Sequence, residues 1–265
     1  MTQSHEINGA GDKMTQMPEN NGLGGNMTRT LEINGLEKSF GRERALNGVN
    51  LSVAEGRIVG LLGPNASGKT TLLKIVAGLL QPSAGEIRYP RNAAAGIEAR
   101  KSIGFCPDQM IFPRWMRVSD AFGFYADMYP DYKRERADQL TGILGLNEYK
   151  NAQIHKLSKG MMGRLILGLT FSRETSLYLL DEPLDGIDPV GKTRIIDAIL
   201  ALKPENSSIL LSTHMVKDIE RIFDSVFFLS KGKIVFSGDC DVMREESGHT
   251  VEQAYLEVFL NEGTV

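Results

Sequence analysis

The sequence predicts an α/β protein: a parallel-sheet core, preceded by a small antiparallel β subdomain and interrupted by an inserted helical subdomain. Three observations predict it. The unbroken apolar runs "RIVGLL", "SLYLL" and "SSILLS" read as strands buried on both faces. Helix-period stretches separate them, notably "TLLKIVAGLL" and Lys192 to Leu202, and strands alternating with helices imply a parallel sheet. Ahead of these runs, Leu31, Ile33 and Leu36 sit among polar neighbours, and Val49, Leu51 and Val53 recur at spacing two, as in half-exposed antiparallel strands.

Taken in order, Met1 to about Thr28 is rich in Asn, Gly, Gln, Thr and Met, has neither period, and reads as a disordered tail over 1–28. The main domain spans 29–240. Within it, about 110–165 forms the inserted helical subdomain. "VSDAFGFYADMYP" predicts a helix capped by Ser119 or Asp120 and broken at Pro130. "DYKRERADQLTGILG" predicts a second helix, ended by Gly145. "SVFFLSKGKIVFSG" reads as a hairpin turning at Lys231-Gly232. Residues 241–265 form a C-terminal helical extension, whose Val251, Tyr255, Val258 and Phe259 make one apolar stripe.

Composition bounds the partners. The chain has 265 residues, 42% hydrophobic and 24% charged, enough for a substantial core. A net charge of −3 gives no broad basic excess, so no nucleic-acid partner is expected. The two cysteines, Cys106 and Cys240, have no CxxC spacing, and a reducing cytosol is the simplest setting. No apolar run approaches the ~20 residues of a spanning helix, and the N-terminus has no apolar signal region.

The chemistry concentrates in three places. "GPNASGKTT", Gly63 to Thr71, matches G-x-x-x-x-G-K-[ST] between a buried strand and a helix. Gly63, Pro64, Asn65, Ala66, Ser67 and Gly68 surround a phosphate in such a loop, and the amides at the helix start, with the helix dipole, attract its oxygens. Lys69 reaches the β- and γ-phosphates, Thr70 ligates Mg²⁺, and Thr71 bonds a phosphate oxygen. "LYLLDEP" ends a buried strand in Asp181, suited to a Mg²⁺ water, and Glu182, suited to act as general base for an attacking water. "LLSTH" sets His214 just past the next buried strand, and parallel strands deliver ligand-facing residues at their C-terminal ends. Lys69, Glu182 and His214 are therefore expected on one edge as the catalytic group. His5, His155 and His249 read as surface residues.

The order of motifs then carries a resemblance. A phosphate loop, L-S-x-G at Leu157 to Gly160, D-E-P, G-x-D-P and S-T-H together resemble the ATP-binding subunit of ABC transporters, over about Leu31 to Phe236. The resemblance implies a P-loop NTPase core, ATP and Mg²⁺ as ligands, and a head-to-tail dimer with a second nucleotide-binding subunit. Each ATP would lie between the loop of one chain and the signature segment, here Leu157-Ser158-Lys159-Gly160-Met161, of the other. Ser158 and Gly160 would meet the partner's γ-phosphate, Phe40 would stack on adenine, and Asp188 would communicate across the dimer. Several positions depart from the family: Ala66 replaces a common Gly, Lys159 and Met161 replace the frequent Gly and Gln, and Leu184 replaces Thr or Ser. In "IGFCPDQMIFP" either Asp108 or Gln109 fills the role of the family glutamine near Mg²⁺, with Asp108 favoured by spacing. Phe112, Trp115 and Met116 would receive a cytoplasmic helix of a polytopic membrane permease, placing the chain on the inner face of the membrane. The closest subgroup resemblance is to bacterial ABC-2-type exporters. A soluble ABC-type ATPase without a transport role, and a P-loop kinase or nucleotide switch, are the rival readings.

Overall fold

The computed structural model describes residues 28–89 and 101–262. The expected tail therefore lies outside the described residues, except for Thr28. Strands β1 (Arg29–Phe40) and β2 (Glu43–Ala54) pair antiparallel, and β1 also pairs with β4 (Ala84–Arg88). Their inward residues, such as Leu31, Ile33, Val49 and Val53, are buried while Glu32, Asn34, Asn50 and Ser52 at alternate positions are more exposed, as the spacing of two predicts. The short β4 has no counterpart in the sequence reading. It is an edge strand, exposed at most positions, so no apolar period marks it.

The central sheet has six strands in the order β5-β6-β7-β3-β8-β9. Here β3 is Ile58–Leu62, β5 Ile103–Cys106, β6 Leu177–Asp181, β7 Ser208–Thr213, β8 Ser225–Ser230 and β9 Lys233–Asp239. The first five are mutually parallel, and β9 closes one edge antiparallel to β8 after the turn at Lys231-Gly232. Alternate residues explain the unbroken apolar runs. Val59, Leu61, Leu179 and Leu210 face the antiparallel sheet and helix α1 (Lys69–Val76). Leu62, Leu180, Ile209 and Leu211 face a second core shared with the remaining helices.

Those helices are α2 (Val118–Met128), α3 (Arg134–Ile143), α4 (Lys159–Phe171), α5 (Pro189–Leu202), α6 (Val216–Ile219) and α7 (Val251–Glu262). Helices α2, α3 and α4 form the inserted layer. Arg173, just past α4, staples it to the sheet. Its guanidinium forms a bidentate pair with Asp131 at 2.9 Å, donates to the Lys101 and Ile103 carbonyls, and lies over the Tyr129 ring. A planar fork with five donors suits this site as an ammonium would not. In α7, Val251 is buried and Tyr255, Val258 and Phe259 pack on the core, with Tyr255 and Phe259 against Phe228.

Three local expectations are corrected. Helix α2 begins after Arg117; Asp120 sits in the first turn and accepts the Arg117 amide at 2.8 Å, so neither Ser119 nor Asp120 is the cap. Helix α1 stops at Val76, because Gly78 turns left-handed (φ 74°) and takes Leu79 out of the helix. Met116 is buried in the core rather than available to a partner, whereas Trp115 beside it is 67% exposed.

Candidate nucleotide site

Parallel register brings the predicted residues to one edge. Leu62 lies opposite Thr213, Asp181 opposite Ser212, and Cys106 opposite Leu180. The next residues of these strands are therefore the phosphate loop, Glu182, His214 and Pro107-Asp108, all at the C-terminal ends.

The loop from Gly63 to Gly68 lies so close to neighbouring backbone that its two glycines leave no room for side chains. A methyl on Gly63 would run into the Leu229 carbonyl, and Gly68 adopts φ 111° against Ala45. The β8–β9 turn braces the loop, with the Gly232 amide donating to the Ser67 carbonyl at 3.0 Å. Ser67 Oγ is buried with no hydrogen-bond partner, a donor left for an anion in the cradle. Pro64, Asn65 and Ala66 line the exposed crest, and Thr70 and Thr71 follow at the start of α1. Ala66 stands at φ 63°, so the residue that replaces a common glycine is held in the left-handed region, at a cost of about 1 kcal/mol.

Lys69 is 5% exposed, and its three donors are all engaged. Its Nζ donates to the Gly63 and Pro64 carbonyls at 2.8 and 3.0 Å and pairs with Glu182 Oε1 at 3.2 Å. The other Glu182 oxygen accepts from the His214 amide at 3.2 Å and from His214 Nδ1 at 3.0 Å. Lys69, Glu182 and His214 thus converge as expected. Glu182 is itself at φ 48°, and its amide donates to both the carbonyl and Oγ of Ser212. Backbone strain at a fixed carboxylate points to function rather than folding.

Asp181 is 2% exposed and accepts from Thr70 Oγ1 at 3.0 Å and Ser212 Oγ at 2.7 Å. Burial pushes its carboxyl above the usual range, and these two hydrogen bonds oppose that push. Thr70 and Asp181 therefore offer adjacent oxygens. Among the described residues no three His, Cys, Asp or Glu side chains cluster as a metal cage. The adjacent Thr70 and Asp181 oxygens suit Mg²⁺, which takes few protein ligands and completes its shell with phosphates and water. Asp108 and Gln109 both line a cavity of about 290 Å³ that also touches Asp181 and Glu182. Cys106, buried behind them, has its thiol pushed up to about 12 by burial, which leaves it unreactive.

Two of the other expected residues bond within their own elements. Ser158 caps α4, accepting the Met161 amide at 3.2 Å, and Asp188 caps α5, accepting the Gly191 amide at 2.9 Å. Among the described residues no hydrogen bond or ion pair joins Leu157–Met161 to the Gly63–Thr71 loop. At Gly160 a β-carbon would meet only ordinary contacts, nearest 3.8 Å, so the chain's own packing does not require glycine there. Phe40 is exposed at the end of β1, with the Lys38 ammonium 5.0 Å over its ring. His155 is exposed as expected, while His249 is half-buried near Glu257, and His5 lies outside the described residues. Two contributors escaped the sequence reading. Ser212 orients both acids, and only its place before Thr213-His214 signals it; Asp185 pairs with Lys159 at 2.6 Å, which no motif spacing predicts.

The family model described as ABC transporter matches residues 46–185. An ABC transporter ATP-binding protein of Methanocaldococcus jannaschii is 33% identical over 80% of this chain and 76% of its own length. One from Synechocystis is 28% identical over 76% of this chain, which spans only 59% of that relative's length. Among solved structures, the ATP binding subunit of an ABC transporter superposes with a TM-score of 0.77 at 26% identity, covering 87% of this chain and 99% of the other.

Proposed function

The chain belongs to the ABC transporter ATP-binding family, and from that premise we propose that it hydrolyses ATP in a head-to-tail dimer and drives export through a separate membrane permease. The observation that carries the reading is the split site. One edge of the chain gathers Lys69, Glu182, His214, Thr70 and Asp181, while Ser158 and Gly160 begin α4, where Ser158 accepts only the Met161 amide of its own helix.

In this reading the Gly63–Thr71 loop holds the phosphates, with Lys69 exchanging its loop carbonyls for phosphate oxygens. Thr70 and Asp181, with Asp108 or Gln109, would hold Mg²⁺, which would supply charge neutralisation at the phosphates. Glu182 takes a proton from the attacking water, and His214 fixes that carboxylate through its amide and Nδ1. Ser158 and the first amides of α4 complete the other copy's site at the terminal phosphate. Phe40 provides the face for adenine, and Asp188 lies on the D-loop between the copies.

The permease reading is supported by a cleft of about 1230 Å³ between β5, α1 and α2, lined by Leu79, Phe105, Ile111, Tyr125, Met128 and Tyr129 among others. Ile111 at its rim is 97% exposed. A groove of this composition fits an amphipathic helix of a partner, and Trp115 stands exposed on the same inserted layer. No helix among the described residues is long and apolar enough to cross a membrane, so the proposed position on the inner membrane face comes through the permease.

The Ser158→Arg variant tests the dimer. Turnover is expected to fall at least a hundredfold, since a bulky cation replaces the phosphate-facing cap. Binding of a fluorescent ATP analogue to the dilute monomer stays within about twofold of the parent. Unchanged turnover contradicts the reading.

A further inference from the structure

Lys159 stands in the first turn of α4, between Ser158 and Gly160, where the family more often has glycine. Its Nζ lies 2.6 Å from Asp185 Oδ2. Its stem crosses Gly186, where a β-carbon would come within 2.7 Å of Lys159 Cδ. Asp185 is three residues past Glu182 and its amide donates to the Glu182 carbonyl at 3.1 Å. The pair therefore ties the segment that serves the partner's nucleotide to the turn that carries this chain's own general base.

Two further features bear on what Lys159 does. It lines the 290 Å³ cavity together with Asp108, Asp181, Glu182 and Asp185, one cation against four carboxylates. The pair is also open to solvent, with side-chain exposures of 57% and 37%, so holding it contributes little stability and releasing it costs little. Each partner favours the other's charge: Asp185 holds the Lys159 ammonium above its usual range, and Lys159 holds the Asp185 carboxyl below its own. An ammonium on a flexible stem moves readily between anions, and a terminal phosphate is a stronger anion than one solvated carboxylate.

We propose that Lys159 is a phosphate-contacting residue held in reserve by Asp185, exchanging that carboxylate for the terminal phosphate of ATP carried by a second copy of this chain. The exchange leaves Asp185 unpaired beside Glu182, so occupancy of one site is registered at the other. This inference rests on the dimer reading above.

The test is run in Glu182→Gln full-length chain, where turnover does not deplete ATP, by measuring the ATP concentration that gives half-maximal dimer. Lys159→Gln is expected to raise it about tenfold, and Lys159→Arg to leave it within about twofold. Asp185→Asn is expected to lower it about threefold, by removing the competitor. The double variant follows Lys159→Gln, and all these effects shrink in ~0.5 M salt. If Asp185→Asn instead raises the requirement as Lys159→Gln does, the pair is only a strap and the inference is overturned. Should the parent chain form no ATP-dependent dimer, the dimer reading itself falls and takes this inference with it.

Discussion

Replacing Glu182 with Gln is expected to lower ATP turnover by about two to four orders of magnitude and to trap an ATP-bound dimer. The rate effect is the loss of a general base, which contributes on the order of 10²–10⁴. The trapping has a separate cause. Glu182 now accepts from Lys69 on one oxygen and from His214 on the other. A Gln carbonyl facing His214 keeps the second set, while its amide nitrogen cannot accept from Lys69. One of the three ammonium donors is then released for phosphate, and the negative charge that opposed the γ-phosphate is gone. Phosphate release and light scattering on the same sample check both halves. A variant that turns over normally, or stays monomeric with ATP and Mg²⁺, contradicts the assignment.

Lys69→Met is expected to weaken nucleotide binding by about thirtyfold to several thousandfold, the equivalent of about 2–5 kcal/mol for truncating one member of a buried charged set. The methionine keeps most of the buried apolar stem, so the fold survives. What is lost is the one ammonium inside the loop, while Glu182, with a side chain only 15% exposed, remains to repel phosphate. Calorimetric titration with ATP measures the loss, and the ATP-induced rise in melting temperature shrinks with it. Affinity within twofold of the parent would show that Lys69 does not face phosphate.

The parts of this molecule that were readable from its sequence are those where one local pattern dictates one structure. Strands buried on both faces appear as apolar runs, since Leu61 and Leu62 each meet a core on opposite sides of the sheet. Gly63 and Gly68 appear because no side chain fits where they sit. The C-terminal ends of parallel strands then bring Lys69, Glu182 and His214 together without further information. The unreadable parts depend on distant residues. Strand β4 follows from an edge vacancy beside β1, and the burial of Met116 from helices folded over it. The Lys159–Asp185 pair joins residues 26 positions apart, one in the first turn of α4 and one in the turn after β6. Asp120 serves α2 from inside its first turn, so an acid near the start of the pattern does not mark the cap itself.

The most direct test of the composite site mixes two inactive chains. Lys69→Met removes the phosphate cation from one chain, and Ser158→Arg blocks the phosphate-facing cap of the other. In a head-to-tail pair of the two, one site still combines an intact Gly63–Thr71 loop with an intact Ser158. Random pairing makes about half the dimers mixed with one good site each, so the mixture should regain up to about a quarter of parental turnover. Turnover that stays at the level of the separate variants, at concentrations where dimers form, would contradict a site built from two chains.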